Sequence, residues 1–216
     1  MKLLPALLAA AFLTSCQKDS ASAEPESSAE PKEVVGIVIE TSKGTIRADL
    51  DPAVAPVTVK NFLGYVDKKF YDNTIFHRVI SNFMIQGGGF EIENGIPKEK
   101  ETGDGIFNES AQTEPNSRGT LAMARTSNPN SATSQFFINV KDNASLDYPN
   151  AGGSGYAVFG KVTEGMEIVD AIKDVETGEK MAISLQPSGR YVPGPFNDVP
   201  VEPVTILSIR RADPSE

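Results

Sequence analysis

Two short stretches with a side-chain period of two, Thr74 to Val79 and Asn82 to Gln86, run directly into three consecutive glycines, Gly87-Gly88-Gly89. Runs this short and this strictly alternating suit strands, and the glycines let a strand turn sharply or approach another backbone closely. The alternation also assigns faces. On the first strand Phe76 and Arg78 share one face and His77 takes the other, while on the second Met84 and Gln86 share a face. A permanent cation is therefore expected beside an open, polar-edged apolar floor.

The pattern recurs along the chain. Arg118 to Arg125 reads as a strand ending in a polar loop, and Ser134 to Val140 as another in which Gln135 and Phe137 point the same way. Val34 to Glu40 and Thr45 to Leu50, joined around Lys43-Gly44, read as a hairpin, and Val204 to Ile209 as a closing strand. Two segments have helical period. One starts at Ala55-Pro56, with proline in the first turn and Val59, Phe62, Leu63 and Val66 on one face; the other covers Gly165 to Lys173, with Met166, Val169 and Ile172 inward. Many short strands with two helices predict an antiparallel barrel. The 216 residues, 39% hydrophobic, suffice for one sizeable core, and no mid-chain linker divides them.

Charge and composition exclude several function classes. A formal net charge of -9 and a pI near 4.8 leave no Lys/Arg cluster for nucleic acid. With one cysteine and one histidine, neither a disulfide framework nor a Cys/His zinc site can be assembled, so no metal or other cofactor is expected. The Gly87 to Gly89 run lacks the Gly-Lys-Ser/Thr ending that would make it a phosphate cradle. Asn108-Glu109-Ser110 and Asn143-Ala144-Ser145 match the glycosylation pattern and are read as chance matches in surface loops.

The amino-terminal region divides in two. Met1-Lys2 followed by the apolar run Leu3 to Leu13 has the length of a signal peptide, too short to span a bilayer. Leu13-Thr14-Ser15-Cys16 resembles a bacterial lipobox, which implies a signal peptide over 1–15 and acylation of Cys16. Residues 16–33 are rich in Ser, Ala, Glu and Pro and read as an acidic tether, leaving 34–216 as the folded domain. Gln17 after the cysteine implies the outer membrane, facing the periplasm, by analogy with enterobacterial sorting.

Three blocks in order, Phe76 to Phe90, Gly119 to Thr126 with Ser134 to Val140, and Gly155 to Val162, resemble the cyclophilin family of peptidyl-prolyl cis/trans isomerases in its bacterial branch. The resemblance covers roughly Val34 to Arg211 and thins between Lys180 and Asn197, where a Pro- and Gly-rich segment looks inserted before the last strand. It implies a closed eight-stranded barrel with a helix at each end. It also implies a monomer acting on proline-containing, unfolded or exported polypeptides. Carried over by position, Arg78 and Gln86 are the catalytic pair, and Phe83, Met84, Phe137 and Leu146 hold the proline ring. Gln86 orients the substrate carbonyl, the backbone of Ala124 and Arg125 grips the peptide, Gln135 supports Arg78, and Tyr156 forms a polar wall. His77 is read as buried and structural.

Residue chemistry agrees with rotation. Arginine stays protonated and so cannot act as general acid or base, but it can donate to a proline nitrogen whose lone pair appears only in the twisted amide. Ser145 stands where eukaryotic members carry a rim tryptophan, which argues against strong cyclosporin binding, and the 127–133 loop is one residue longer than in common eukaryotic members. An alternative of a different class is a non-catalytic chaperone module that holds peptides in the same groove; retention of Arg78, Phe83, Gln86 and Phe137 argues against it.

Overall fold

The first hairpin sets the pattern for the wall of the molecule. In the computed structural model, which describes residues 33–213, β1 (Val35–Thr41) pairs antiparallel with β2 (Gly44–Leu50) so that Ile37 faces Ala48 and Ile39 faces Ile46. These four, with Leu50, are buried in one core. The sheet continues through β3 (Thr74–Ile80), β4 (Met84–Glu93), β6 (Thr120–Met123), β7 (Phe136–Asn139), β8 (Val158–Glu164) and β11 (Thr205–Arg211), β5 (Ile96–Glu99) lying outside this set. The order β4-β3-β11-β1-β2-β8-β6-β7 returns to its start because β7 also pairs with β4, closing an eight-stranded antiparallel barrel. The expected fold is therefore present, including the closure that the sequence pattern alone does not supply.

Two helices close the barrel interior. α1 (Pro56–Asp67) buries Val59, Phe62, Leu63 and Val66, and Phe62 meets Tyr71, Phe136 and Phe159 at ring distances of 5.0, 5.5 and 5.0 Å. A helix of this length is marginal alone, so this aromatic contact, at about 0.5–1.5 kcal/mol per ring pair beyond burial, holds it in place. Ala55 offers no side-chain cap; instead the buried Glu109, from a distant loop, accepts hydrogen bonds from Val57 N, Thr58 N and the Thr58 hydroxyl at 2.7–3.0 Å. α2 (Met166–Lys173) buries Val169 and Ile172, and its Ile168 packs on Gly44 at the β1–β2 turn. α1 instead lies by Val35, at the other end of that hairpin, so the helices cap opposite mouths. The Asn150–Gly153 segment makes only a short turn, with Ala151 and Gly152 in left-handed conformation.

Two features depart from the sequence reading. Strict alternation over Thr74 to Val79 fails, because Phe76 pairs with Gly87 and Arg78 with Gln86, which leaves His77 as the extra residue of a bulge. Phe76 therefore points into the core rather than sharing a face with Arg78. His77 turns outward as Arg78 does, and its ring lies 4.4 Å from that of Phe90. Lys180 to Asn197, read as an inserted loop, folds as a hairpin of β9 (Thr177–Leu185) and β10 (Tyr191–Pro200) that continues the sheet from β4 through β5. Its prolines are tolerated because β10 is the open edge, and Pro193 and Pro195, two residues apart, lose their N–H groups on the same side. Ala182 and Phe196 seat the hairpin on Ile75 and Phe90. The predicted signal peptide, Cys16 and nearly all of the tether lie outside the described residues.

The single histidine gives this packing a pH signature. Burial, the largest cause, holds the pKa of His77 down at about 3 instead of 6.5; the charge of Arg78 acts the same way and a hydrogen bond with the Ile75 backbone opposes it. The unfolded chain takes up this proton near pH 6.5 and the folded chain only near 3, so the contribution to stability is full above 6.5 and is lost as pH falls through that window. Urea unfolding of the parent is expected to weaken between these limits by an amount that shrinks in His77→Phe. Identical pH slopes for the two proteins would contradict a buried, neutral imidazole.

Candidate active site

Closure aligns the candidate residues. β4 has Gln86 opposite Arg78 of β3 on one side and opposite Phe137 of β7 on the other, and Phe137 in turn faces Ala122 of β6. Arg78, Gln86, Phe137 and Ala122 thus form one row across four strands. Their neighbours Phe136, Ile138, Leu121 and Ile85 belong to the barrel interior, so the pleat places this row on the outer wall. Together with Phe83, Met84, Ala124, Arg125, Leu146 and Tyr156, the members Arg78, Gln86 and Phe137 line a cavity of about 100 Å³. The Arg78 side chain is 43% exposed and its Nε lies 3.9 Å from a carboxylate oxygen of Asp198 in β10. Such a solvated pair contributes less than about 1 kcal/mol, so the guanidinium stays available to a ligand.

The floor and rim are built separately from the core. Met84, Phe137, Ala122 and Val158 form their own apolar cluster, with Phe83, Leu146 and Tyr156 packed on it. Tyr156 stands edge-on to Phe137 at 5.7 Å, and the Arg125 guanidinium lies 4.3 Å above the Tyr156 ring. Arg125 also donates to the carbonyls of Gly155, Thr126 and Ala151 at 2.9–3.2 Å, so its side chain braces the rim. Ala124 N–H donates to Gln135 O within the wall.

Three buried asparagines fix the loops that carry Phe83, Leu146 and Tyr156. Asn139 Nδ2 donates to Thr120 Oγ1 and Asn116 Oδ1, and Asn143 Nδ2 donates to Asn139 Oδ1 and to Phe83 O, all at 2.7–3.2 Å. Leu146 N donates to Asn143 O, Tyr156 N to Leu146 O, and Asn116 Nδ2 to Tyr156 O. Asn143 is therefore buried rather than a surface acceptor, and Asn108 Nδ2 is committed to Ser154 O and Gly155 O. Of the two glycosylation matches read as surface loops, the one at Asn143 is thus in a buried position. Ser145 is exposed and outside the cavity lining.

Among the described residues, Gln135 is the predicted site residue that does not line the cavity. Its Oε1 accepts from Gln86 Nε2 at 2.9 Å, and its own Nε2 donates to Glu99 Oε1 at 3.1 Å, so it supports Gln86 rather than Arg78. Gly89 makes room for it, since a Cβ there would stand 2.4 Å from Gln135 Cγ. Gly88, at φ +81, turns the strand between. Glu99 and Asp198 carry no signal in the sequence, because the β9–β10 hairpin and the strand beside it bring them to the site. Burial raises the pKa of Glu99, while N–H groups of Leu185 and Gln135 lower it.

A closed barrel with a cation, an oriented amide and an apolar floor on its outer wall defines a peptide-handling site of the kind prolyl isomerases carry. The family model described as cyclophilin type peptidyl-prolyl cis-trans isomerase/CLD matches residues 36–211. The chain is 50% identical over 178 residues to peptidyl-prolyl cis-trans isomerase cyp18 of Streptomyces antibioticus, covering 81% of this chain and 96% of that protein. It is 49% identical over 172 residues to peptidyl-prolyl cis-trans isomerase B of Escherichia coli, covering 79% and 98%. A crystal structure of a cyclophilin type isomerase of Cryptosporidium parvum superposes with a TM-score of 0.61 at 25% identity, over 84% of this chain and 99% of that one. The chain belongs to the cyclophilin-type peptidyl-prolyl cis-trans isomerase family, and isomerisation of Xaa-Pro bonds is its activity.

The asparagine network makes the rim testable. Asn143→Ala leaves Phe83 O and Asn139 Oδ1 without this donor in a buried site, at a cost of about 2 kcal/mol. A fall in Tm of about 4–8 °C is expected, together with a raised KM for Xaa-Pro peptides as the Phe83 wall loosens. An unchanged Tm would show that the network does not hold the rim.

Proposed function

We propose that this chain accelerates Xaa-Pro rotation in exported, unfolded polypeptides by binding the twisted amide more tightly than either planar isomer. The observation that supports this most is the row Arg78, Gln86, Phe137, which sets a cation and an amide at the edge of an apolar floor. The barrier is about 18–20 kcal/mol because amide resonance must be broken. In the twisted state the proline nitrogen becomes pyramidal, and a guanidinium N–H of Arg78 donates to it more strongly than in the ground state. Phe83, Met84, Phe137 and Leu146 hold the ring, Gln86 donates to the substrate carbonyl, the Arg125 backbone grips the flanking peptide and Tyr156 walls the pocket. The chain's one histidine is buried and neutral, which favours a site that works by hydrogen bonding and shape. With Ser145 exposed and outside the cavity lining, and no aromatic at that position, weak cyclosporin binding is part of the same reading.

The envelope location is proposed on the sequence Leu13-Thr14-Ser15-Cys16 and on the acidic composition of residues 17–33. Acylated Cys16 anchors the protein in the outer membrane, and the tether lets a monomeric domain reach clients in the periplasm, where slow proline isomerisation limits refolding. Two experiments test this function. Arg78→Ala is expected to lower kcat/KM on a short Xaa-Pro peptide by roughly 10²–10³-fold with an unchanged fold, and full activity would remove the mechanism. Cys16→Ala is expected to release the full-length protein from bacterial membranes; a variant that still fractionates with them would refute the anchor.

A further inference from the structure

The β9–β10 hairpin is joined to the catalytic row by a directed chain of hydrogen bonds. Leu185 N, in β9, donates to Glu99 Oε2 at 2.9 Å; Gln135 Nε2 donates to Glu99 Oε1 at 3.1 Å; Gln86 Nε2 donates to Gln135 Oε1 at 2.9 Å. Each primary amide has a donor end and an acceptor end, and alone it could sit either way round. A carboxylate only accepts. His77 also meets the Gln135 side chain; with the carboxylate of Glu99 at the end of the chain, Gln135 presents its NH2 to Glu99 and its carbonyl to Gln86, and Gln86 presents its NH2 to Gln135. Gln86 Nε2 keeps a second N–H beyond the one given to Gln135, and Gln86 lines the cavity together with Arg78 and Phe137.

We propose that Glu99 is a positioning residue for the isomerisation: held by the Leu185 N–H of the hairpin, its carboxylate sets the orientation of the Gln135 and Gln86 amides and so aims the Gln86 donor at the substrate carbonyl. This rests on the role proposed for Gln86 above. The slot at Gly89 is a second, independent sign, because Gln135 lies where any other residue would place its Cβ. The hairpin thereby acquires a task in the site although none of its side chains lines the cavity. Its apolar seat, Ala182 and Phe196 on Ile75 and Phe90, keeps Leu185 in register with Glu99.

Glu99→Gln tests polarity with little change of shape. Leu185 N–H retains the new amide's oxygen, so its NH2 faces Gln135, which must turn; Gln86 must turn in response, moving its donor off the carbonyl. On a short Xaa-Pro peptide, kcat/KM is expected to fall about tenfold, the order of one misplaced hydrogen bond, with Tm near that of the parent. The decisive measurement is a double-mutant cycle with Gln86→Ala. A residue acting through Gln86 has nothing further to lose in that background, so Glu99→Gln should then cost nothing, and the Gln86 side-chain amide resonances should shift in Glu99→Gln alone. An equal loss in both backgrounds, or no loss in the parent background, overturns the proposal. Arg78→Ala measured alongside separates the two readings: if it is inactive while Glu99→Gln is fully active, the mechanism stands and only the role of Glu99 falls. If the folded parent shows no isomerase activity, both fall.

Discussion

The pairing of β4 with β7 is the contact on which the rest of the molecule depends. It turns an open sheet into a barrel, and it places Gln86 between Arg78 and Phe137 in one row. Side chains alternate with a period of two, so a one-residue slip of β7 would send Phe137 inward and Phe136 and Ile138 out. Phe136 and Ile138 are fully buried, and Phe136 packs edge-on against both Phe62 and Tyr71. Core packing therefore enforces the register that composes the site. Fold stability and site geometry share one cause, while the apolar clusters that carry them are separate.

Periodicity made much of this legible. The α1 face of Val59, Phe62, Leu63 and Val66, the extent of α2 and the first hairpin follow from local patterns that tertiary packing reinforces. The cavity-lining residues were reachable because family motifs carry them. What the sequence hid was nonlocal or depended on exceptions to alternation. The bulge at His77 breaks the pleat at the most functional strand, and it puts His77 and Arg78 in succession on the outer side. Glu109 caps α1 from a loop more than forty residues after it, which no local capping rule predicts. The 180–197 segment, rich in proline and glycine, lacks the usual signs of strands, and only its place at the open edge permits β10. Gln135 had the right face but the wrong partner, since the glycine slot that lays it toward Gln86 is a matter of ångströms.

A catalyst of bond rotation has an unusual requirement. No bond to the substrate is made, so every fraction of the rate must come from groups held where the twisted amide will need them, and flexibility in those groups directly lowers the difference between twisted and planar binding. The structure answers this by locking each polar element through something behind it. Three asparagines hold the loops of the pocket wall, Arg125 braces the rim through three carbonyls, and Glu99 orients two amides in sequence. Arg78 is the exception, meeting among the described residues a solvated carboxylate of Asp198 at 3.9 Å. That looseness is consistent with the role proposed for Arg78. The lone pair it must meet exists only while the bond is turning, and a guanidinium tightly paired beforehand would have to break that pairing at the same moment. In the proposed mechanism the amide assigned to the ground-state carbonyl, Gln86, is fixed by Gln135, and the cation assigned to the transition state, Arg78, is held only by a solvated pairing.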